Sequence, residues 1–297
     1  MCATCGCGDD VGVRVSTGDG SGASPEPVLD HQHLHDGGRQ QPHDHAHDGG
    51  HDHVHESGQA HSHAPVATIA LEQSLLAKND LLAARNRGWL EGRGIQAFNV
   101  MSSPGAGKTT LLVRTIEELG SRLNIAVIEG DQETSLDADR IRTAGRPAVQ
   151  INTGAGCHLD ADMLRRGLDA LNPEQGSTLF IENVGNLVCP ALFDLGETAK
   201  VVIISVTEGD DKPQKYPHMF MAADLVIINK SDLLPYVEFD VDQCLRQARQ
   251  LNPRVEMLSV SATTGVGLDG WYDWLMKNAN APAVRAGAAT LPDGVRV

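Results

Sequence analysis

Basic residues are outnumbered in this chain, 24 Lys and Arg against 39 Asp and Glu, leaving a net charge of −15. That balance argues against generic nucleic-acid binding, which needs a basic footprint, and suits cations as partners. Long apolar runs are also missing. The first thirty residues hold no apolar core of a secretory leader, and the later apolar runs have strand length, so neither export nor a membrane span is expected. Residues 1–65 lack apolar periodicity altogether and consist largely of Gly, Asp, His, Ser and Pro. Such a stretch buries too little surface to offset its ordering entropy, so a disordered tail is expected when no metal is bound. With a cytoplasmic setting expected, where thiols persist, the six cysteines read as possible ligands before disulfides.

What the tail does contain is ligand chemistry. Cys2, Cys5 and Cys7 place three thiols within six residues, and Gly6 and Gly8 permit the tight turn that points them at one centre. A fourth ligand would be the terminal amine, a histidine or water. Then follow His31, His33 and His35; His43, His45 and His47; His51, His53 and His55; and His61 and His63. In an extended chain alternate residues face the same way, so each block offers its imidazoles along one edge. Neutral imidazole suits Ni²⁺, Zn²⁺ and Cu²⁺, and the interleaved aspartates favour gathered cation charge.

Beyond residue 66 the pattern changes. Thr68 to Glu91 reads as a helix on the spacing of Ile69, Leu71, Leu75, Leu76, Leu81, Leu82 and Trp89, packing beside the main domain. Strands are expected at 95–101, 124–129, 147–151, 177–181, 200–206, 224–228 and 255–260. Helices are expected at 111–119, 136–143, 159–171, 240–251 and 268–277. Strands alternating with helices imply an α/β fold with a doubly wound, mainly parallel sheet, and ligands bind beyond the carboxyl ends of its strands. The expected organisation is a Cys/His-rich tail over 1–65, one α/β domain over 66–280 and a C-terminal tail over 281–297.

The domain is organised around Ser102-Ser103-Pro104-Gly105-Ala106-Gly107-Lys108-Thr109-Thr110, which follows the first of these strands and opens into a helix. Backbone N–H groups of such a turn and the positive end of the helix dipole cradle phosphates. Lys108 would reach the β- and γ-phosphates, and the Thr109 hydroxyl would take a place on Mg²⁺. Ser102 stands where the general pattern has its first glycine. Asn229-Lys230-Ser231-Asp232 follows a later strand. Asp232 can accept from guanine N1–H and its exocyclic amine, a pair adenine lacks, and such sites reject the wrong base by about 10⁴. Asn229 would buttress the loops, the Lys230 stem would cover the base, and Ser261-Ala262 resembles the second guanine-contacting loop. GTP is favoured over ATP. Asp131 is the candidate for Mg²⁺ coordination and for orienting the attacking water, Glu182 takes the place of the usual aspartate, and Gly185 would sense the γ-phosphate through its N–H. Ordinary strand-end carboxylates are the plainer account of Asp131 and Glu182.

Cys157-His158 precedes one helix, and Cys189 lies in the loop after the strand ending at Glu182. Both loops leave the same end of a parallel sheet, so these residues can meet each other or meet their copies across a dimer. Sulfur with imidazole suits Zn²⁺ or Ni²⁺, while any one of these residues alone would pass for buried structure. Cys244 reads as core.

Together CxxCxC, the histidine-rich linker, SSPGAGKTT, GCHLD, ENVGNLVCP and NKSDLLPY resemble the HypB family of hydrogenase nickel-incorporation GTPases. Ser102 and Glu182, which depart from general GTPases, match that family's own pattern. The resemblance implies GTP-dependent delivery of Ni²⁺ to the large subunit of [NiFe]-hydrogenase, with a HypA-type nickel/zinc protein as partner. It implies a tight nickel site at Cys2, Cys5 and Cys7, and a nickel or zinc site at Cys157, His158 and Cys189. It also implies a homodimer through Leu233 and Val237, although both residues can equally pack inside. A urease-type accessory GTPase and a nickel store with a regulatory GTPase domain are the alternatives.

Overall fold

The structure, a computed structural model, describes residues 14–17, 64–132 and 136–279. Seven parallel strands form its centre: β2 (Gln96–Ser102), β3 (Ile125–Asp131), β4 (Ala148–Asn152), β5 (Thr178–Glu182), β6 (Ala199–Ser205), β7 (Leu225–Asn229) and β8 (Glu256–Ser259). Their order is β4-β3-β5-β2-β6-β7-β8. Every residue of β2, β5 and β7 is buried, as expected of strands covered on both faces. On one face α2 (Lys108–Leu119), α3 (Leu136–Thr143) and α8 (Leu268–Ala279) pack over Phe98, Val100, Phe180, Val201 and Ile227. On the other, α4 (Ala161–Leu171) covers Ala97, Ile128 and Ile181. Beyond it α5 (Lys212–Lys215), α6 (Pro217–Ala222) and α7 (Val241–Leu251) lie on the side of Met101, Val202, Ile204 and Val226, where Cys244 is also buried. Among the described residues no helix is long and apolar enough to cross a membrane.

The expected strands and helices are found within a few residues of their expected ends, and the mainly parallel, doubly wound fold is the one observed. Three features differ. The helix α1 (Ala64–Gly92) forms where its spacing predicts, but not on an apolar stripe. Leu75 and Leu81 are exposed, and the buried line is Asn79, Ala83, Asn86 and Leu90. Asn79 donates to the Asp194 carbonyl at 2.7 Å and accepts from the Ala161 N–H at 2.9 Å. Asn86 donates to the carbonyls of Ala161 and Leu195 at 2.8 and 3.1 Å. The helix is thus fastened to the start of α4 and the loop before β6 by amide side chains. Satisfying loop backbone groups outweighs burying two leucines here.

The second difference is a short strand, β1 (Arg14–Thr17), paired antiparallel with β4 on the outer edge of the sheet. It corrects, for these four residues, the expectation of a disordered tail without apolar periodicity over 1–65. Val11, Val13 and Val15 alternate there, which is the signal for it. The third is the pair of short helices α5 and α6, each with proline in its first turn. Cys2, Cys5, Cys7, the histidines from His31 to His63, and the segment 281–297 lie outside the described residues.

Candidate functional site

The loops that bear the expected site all leave the carboxyl ends of the parallel strands. Between β2 and α2 the chain turns through Gly105 and Gly107, both at positive φ (+74° and +96°). Gly107 is the position where the absence of a side chain matters. A Cβ there would stand 2.5 Å from Nδ2 of Asn229. The Asn229 carboxamide uses that space: Nδ2 donates to the Ala106 carbonyl at 2.8 Å, and Oδ1 accepts from the Ala262 N–H at 3.1 Å. One buried amide therefore ties the phosphate loop, the end of β7 and the loop after β8 together. Lys230 lies over the turn, its Nζ donating to the Gly105 carbonyl at 2.7 Å. Asp232 is exposed and accepts from the Ser261 hydroxyl at 2.5 Å, so the two loops expected to flank a base meet.

At the start of α2 the Thr109 hydroxyl donates to Oε1 of Glu182 at 2.7 Å, and Lys108 Nζ donates to the Ser102 hydroxyl at 3.0 Å. The proton of Thr109 thus goes to Glu182, while half-buried Asp131 ends β3 nearby. Glu129 faces Glu182 in register across β3 and β5. Both carboxylates are 2% exposed, and each keeps a buried Oε2 with no hydrogen bond. Burial pushes the Glu129 carboxyl up to about 9, with Glu182 and Asp131 adding repulsion. Burial pushes Glu182 up to about 7, opposed by Lys108 and by the Thr109 hydrogen bond. Two buried oxygens without donors beside a threonine and a phosphate loop fit a hard divalent cation.

The loop after β5 serves two neighbourhoods. Gly185 lies flat against the phosphate loop, where a Cβ would be 3.1 Å from Pro104 Cα. Asn183, 1% exposed, accepts from the Leu159 and Val184 N–H groups, both at 3.0 Å, and donates to Asn99. Asn186 donates to the Cys157 carbonyl at 3.2 Å and accepts from the Val188 N–H at 2.9 Å. Cys157, His158 and Cys189 meet within one chain: their ligand atoms all lie within 4.8 Å of one another. A tetrahedral centre with sulfur and nitrogen bonds of 2.0–2.3 Å sets its ligands about 3.3–3.8 Å apart, so a closure of about 1 Å would complete a three-ligand face. His158 is buried, and its ring lies against Phe193 with centroids 3.9 Å apart. Burial holds its pKa below the usual histidine range, which favours the neutral imidazole that metals need. Cys244, left as core, is buried, and burial pushes its thiol up to about 12.

Residues 96–259 match the family described as CobW/HypB/UreG, nucleotide-binding domain. The hydrogenase maturation factor HypB of Rhizobium leguminosarum bv. viciae is 58% identical over 221 residues, 74% of each chain. The chain belongs to the HypB family. The HypB of Escherichia coli (strain K12) is 54% identical over 217 residues, 72% of this chain and 75% of that one. A crystal structure of HypB from Helicobacter pylori in complex with nickel matches with a TM-score of 0.65 and 40% identity, covering 68% of this chain and 95% of that one.

Some residues that shape this candidate site escape the sequence motifs. Glu208 accepts from the Ser103 hydroxyl in the phosphate loop and from the Ser205 N–H at 3.2 Å, and lies 3.3 Å from Lys212 Nζ. Its Ser205-x-x-Glu208 spacing is a capping box, which was the available signal. Glu129 gave none, since a carboxylate inside a buried strand carries no motif. Leu233 and Val237 are half-buried against the Met101–Val226 side of the core.

Proposed function

We propose that the chain is a GTP-hydrolysing metallochaperone that binds Ni²⁺ and delivers it for the maturation of [NiFe]-hydrogenase. The observation that carries this reading is the shared loop. Glu182 and Gly185 stand against the phosphate loop, while Asn186 and Cys189, one and four residues after Gly185, stand at the thiol–imidazole cluster.

In this reading Gly105, Ala106, Gly107, Lys108, Thr109 and Thr110 hold the phosphates, and Asn229, Lys230, Asp232, Ser261 and Ala262 hold guanine. Thr109 with Asp131 and Glu182 would hold Mg²⁺, which would supply charge neutralisation at the β- and γ-phosphates. Lys108 stabilises the transferring group, and Asp131 or Glu182 orients the attacking water. The N–H of Gly185 reads whether the γ-phosphate is present. A shift there moves Asn186 and Cys189, changing the affinity of Cys157, His158 and Cys189 for Ni²⁺ or Zn²⁺. By linkage the metal changes nucleotide binding equally. Asn183 holds the base of this loop to the start of the segment bearing His158.

Cys2, Cys5 and Cys7 supply the tighter nickel site and the histidine blocks a buffer around it. A HypA-type nickel/zinc protein and the hydrogenase large subunit are the partners, in the cytoplasm where the thiols stay reduced. The half-buried Leu233 and Val237, beside highly exposed Tyr236, form the homodimer contact. Cells carrying Lys108→Ala or Cys2→Ala test the delivery role through their hydrogenase maturation. Delivery predicts that Lys108→Ala abolishes nickel insertion. Maturation that tolerates Lys108→Ala and fails only with Cys2→Ala would make the chain a nickel store.

A further inference from the structure

The two buried amides of α1 bridge the same pair of segments. Oδ1 of Asn79 accepts from the Ala161 N–H at 2.9 Å, while its Nδ2 donates to the Asp194 carbonyl at 2.7 Å. Nδ2 of Asn86 donates to the carbonyls of Ala161 at 2.8 Å and of Leu195 at 3.1 Å. A spacing of about two helical turns puts both amides on one face, so a single helix face holds the two segments against each other. Between them on the same helix Ala83 is fully buried, and Arg87 clasps the Asp194 carboxylate through both oxygens at 2.7 Å.

Each bridged segment carries one half of a ring stack. Ala161 follows His158 by three residues, and Asp194 directly follows Phe193. The buried His158 imidazole lies against the Phe193 ring with the planes inclined at 32°, and its Nδ1 is 3.6 Å from Cys157 Sγ. The single turn Cys189–Leu192 joins Phe193 to the third member of the cluster. The segment with Cys157 and His158 and the segment with Cys189 and Phe193 are therefore both fastened, close to the cluster, to α1. The helix itself contributes nothing to the cluster.

We propose that Asn79 and Asn86 are positioning residues for the Cys157–His158–Cys189 centre: through α1 they hold the His158 segment against the Phe193 segment, and so seat the imidazole beside the two thiols. The amides touch no ligand atom and act through the backbone groups they satisfy. A ligand set already held near its bound geometry loses less freedom when an ion enters. Groups that orient metal ligands typically contribute 10- to 100-fold in metal affinity. These amides act one step further out, so the low end, about tenfold, is expected. That the centre takes nickel rests on the reading above, whereas the seating of the ring rests on the bridges and the stack alone.

The test uses full-length Cys2→Ser/Cys5→Ser/Cys7→Ser as parent and adds Asn86→Ala, Asn79→Asp or Leu275→Ala. Asn79→Asp keeps an acceptor for the Ala161 N–H at the start of α4, where a carboxylate is favoured, and turns a lone pair on the Asp194 carbonyl. It cuts one bridge while leaving the helix start satisfied, and carries the test if Asn86→Ala does not fold. Leu275→Ala loosens the fully buried core on the opposite face of the sheet, away from α1. Nickel affinity is read by thiolate–nickel charge transfer at buffered free nickel. The metal-free proteins, grown with isotope-labelled histidine, report the upfield ring-current shift of His158, assigned by its loss in His158→Gln. Both amide variants should bind nickel about tenfold more weakly and lose much of the shift, while Leu275→Ala keeps both. Unchanged affinity and shift in the amide variants would overturn the proposal. So would an equal loss in Leu275→Ala, or weaker binding with the shift intact. A parent without charge transfer would overturn the nickel reading of the centre, and the shift in the metal-free variants would then decide the seating of the ring.

Discussion

Replacing Asn229 by alanine should uncouple three loops at once. Its carboxamide is 2% exposed and bonds to the Ala106 carbonyl and the Ala262 N–H, whose residues are 0% and 5% exposed. Truncation leaves both backbone groups without their partner. A buried polar group left unsatisfied costs about 1–3 kcal/mol, so a loss of about 3 kcal/mol is expected after water reaches part of the gap. Urea unfolding followed by tryptophan fluorescence suits the measurement, because Trp271 and Trp274 are buried and stacked with centroids 5.8 Å apart. A midpoint shift worth under about 0.5 kcal/mol, the range of ordinary surface substitutions, would refute the reasoning. Gly107→Ala sharpens it. In the native background the new Cβ meets Asn229 Nδ2 and adopts φ +96°, with strain of about 1–2 kcal/mol from the backbone alone. In the Asn229→Ala background the steric part disappears, so the double variant should be less destabilised than the sum by about 1 kcal/mol. Simple additivity would show that the amide does not occupy the space the glycine leaves.

Two further outcomes follow from the site. The folded chain holds Glu129 protonated up to about pH 9, whereas the unfolded chain ionises it near 4.5. Its contribution is complete below pH 4.5 and is lost as pH rises toward 9, by roughly 1.4 kcal/mol per pH unit for one proton. Glu129→Gln, unfolded by urea without Mg²⁺ or nucleotide, should therefore lose less stability than the native chain between pH 5 and 9; parallel curves would contradict the burial argument. Asp232→Asn exchanges one acceptor for a donor, so GTP affinity should fall by about 2–3 kcal/mol and xanthosine triphosphate affinity should rise. Retained GTP preference in a competition titration would show that the base lies elsewhere.

The fold was legible because each strand of a parallel sheet is an apolar run of fixed length, and the helices between them carry ordinary spacing and caps. The nucleotide loops were legible because backbone cradles demand glycine and base recognition demands a carboxylate at set positions. That Cys157, His158 and Cys189 can meet was legible from their loops leaving one end of the sheet, but whether within one chain or across a dimer was not, because that depends on the strand order β4-β3-β5. Asn79, Asn86, Asn183 and Asn186 were silent for a related reason: an amide that satisfies distant backbone groups looks locally like any polar residue. Leu75 and Leu81 suggested a buried stripe that the amide anchors of α1 override.

The central claim is that nucleotide and metal share the loop from Glu182 to Cys189. Nickel affinity of full-length Cys2→Ser/Cys5→Ser/Cys7→Ser, read by thiolate–nickel charge transfer at buffered free nickel, should be measured with GDP and with a non-hydrolysable GTP analogue. A coupling of about 1–3 kcal/mol predicts affinities that differ about 5- to 150-fold between the two nucleotides. Equal affinities would mean that the two sites are neighbours without communication.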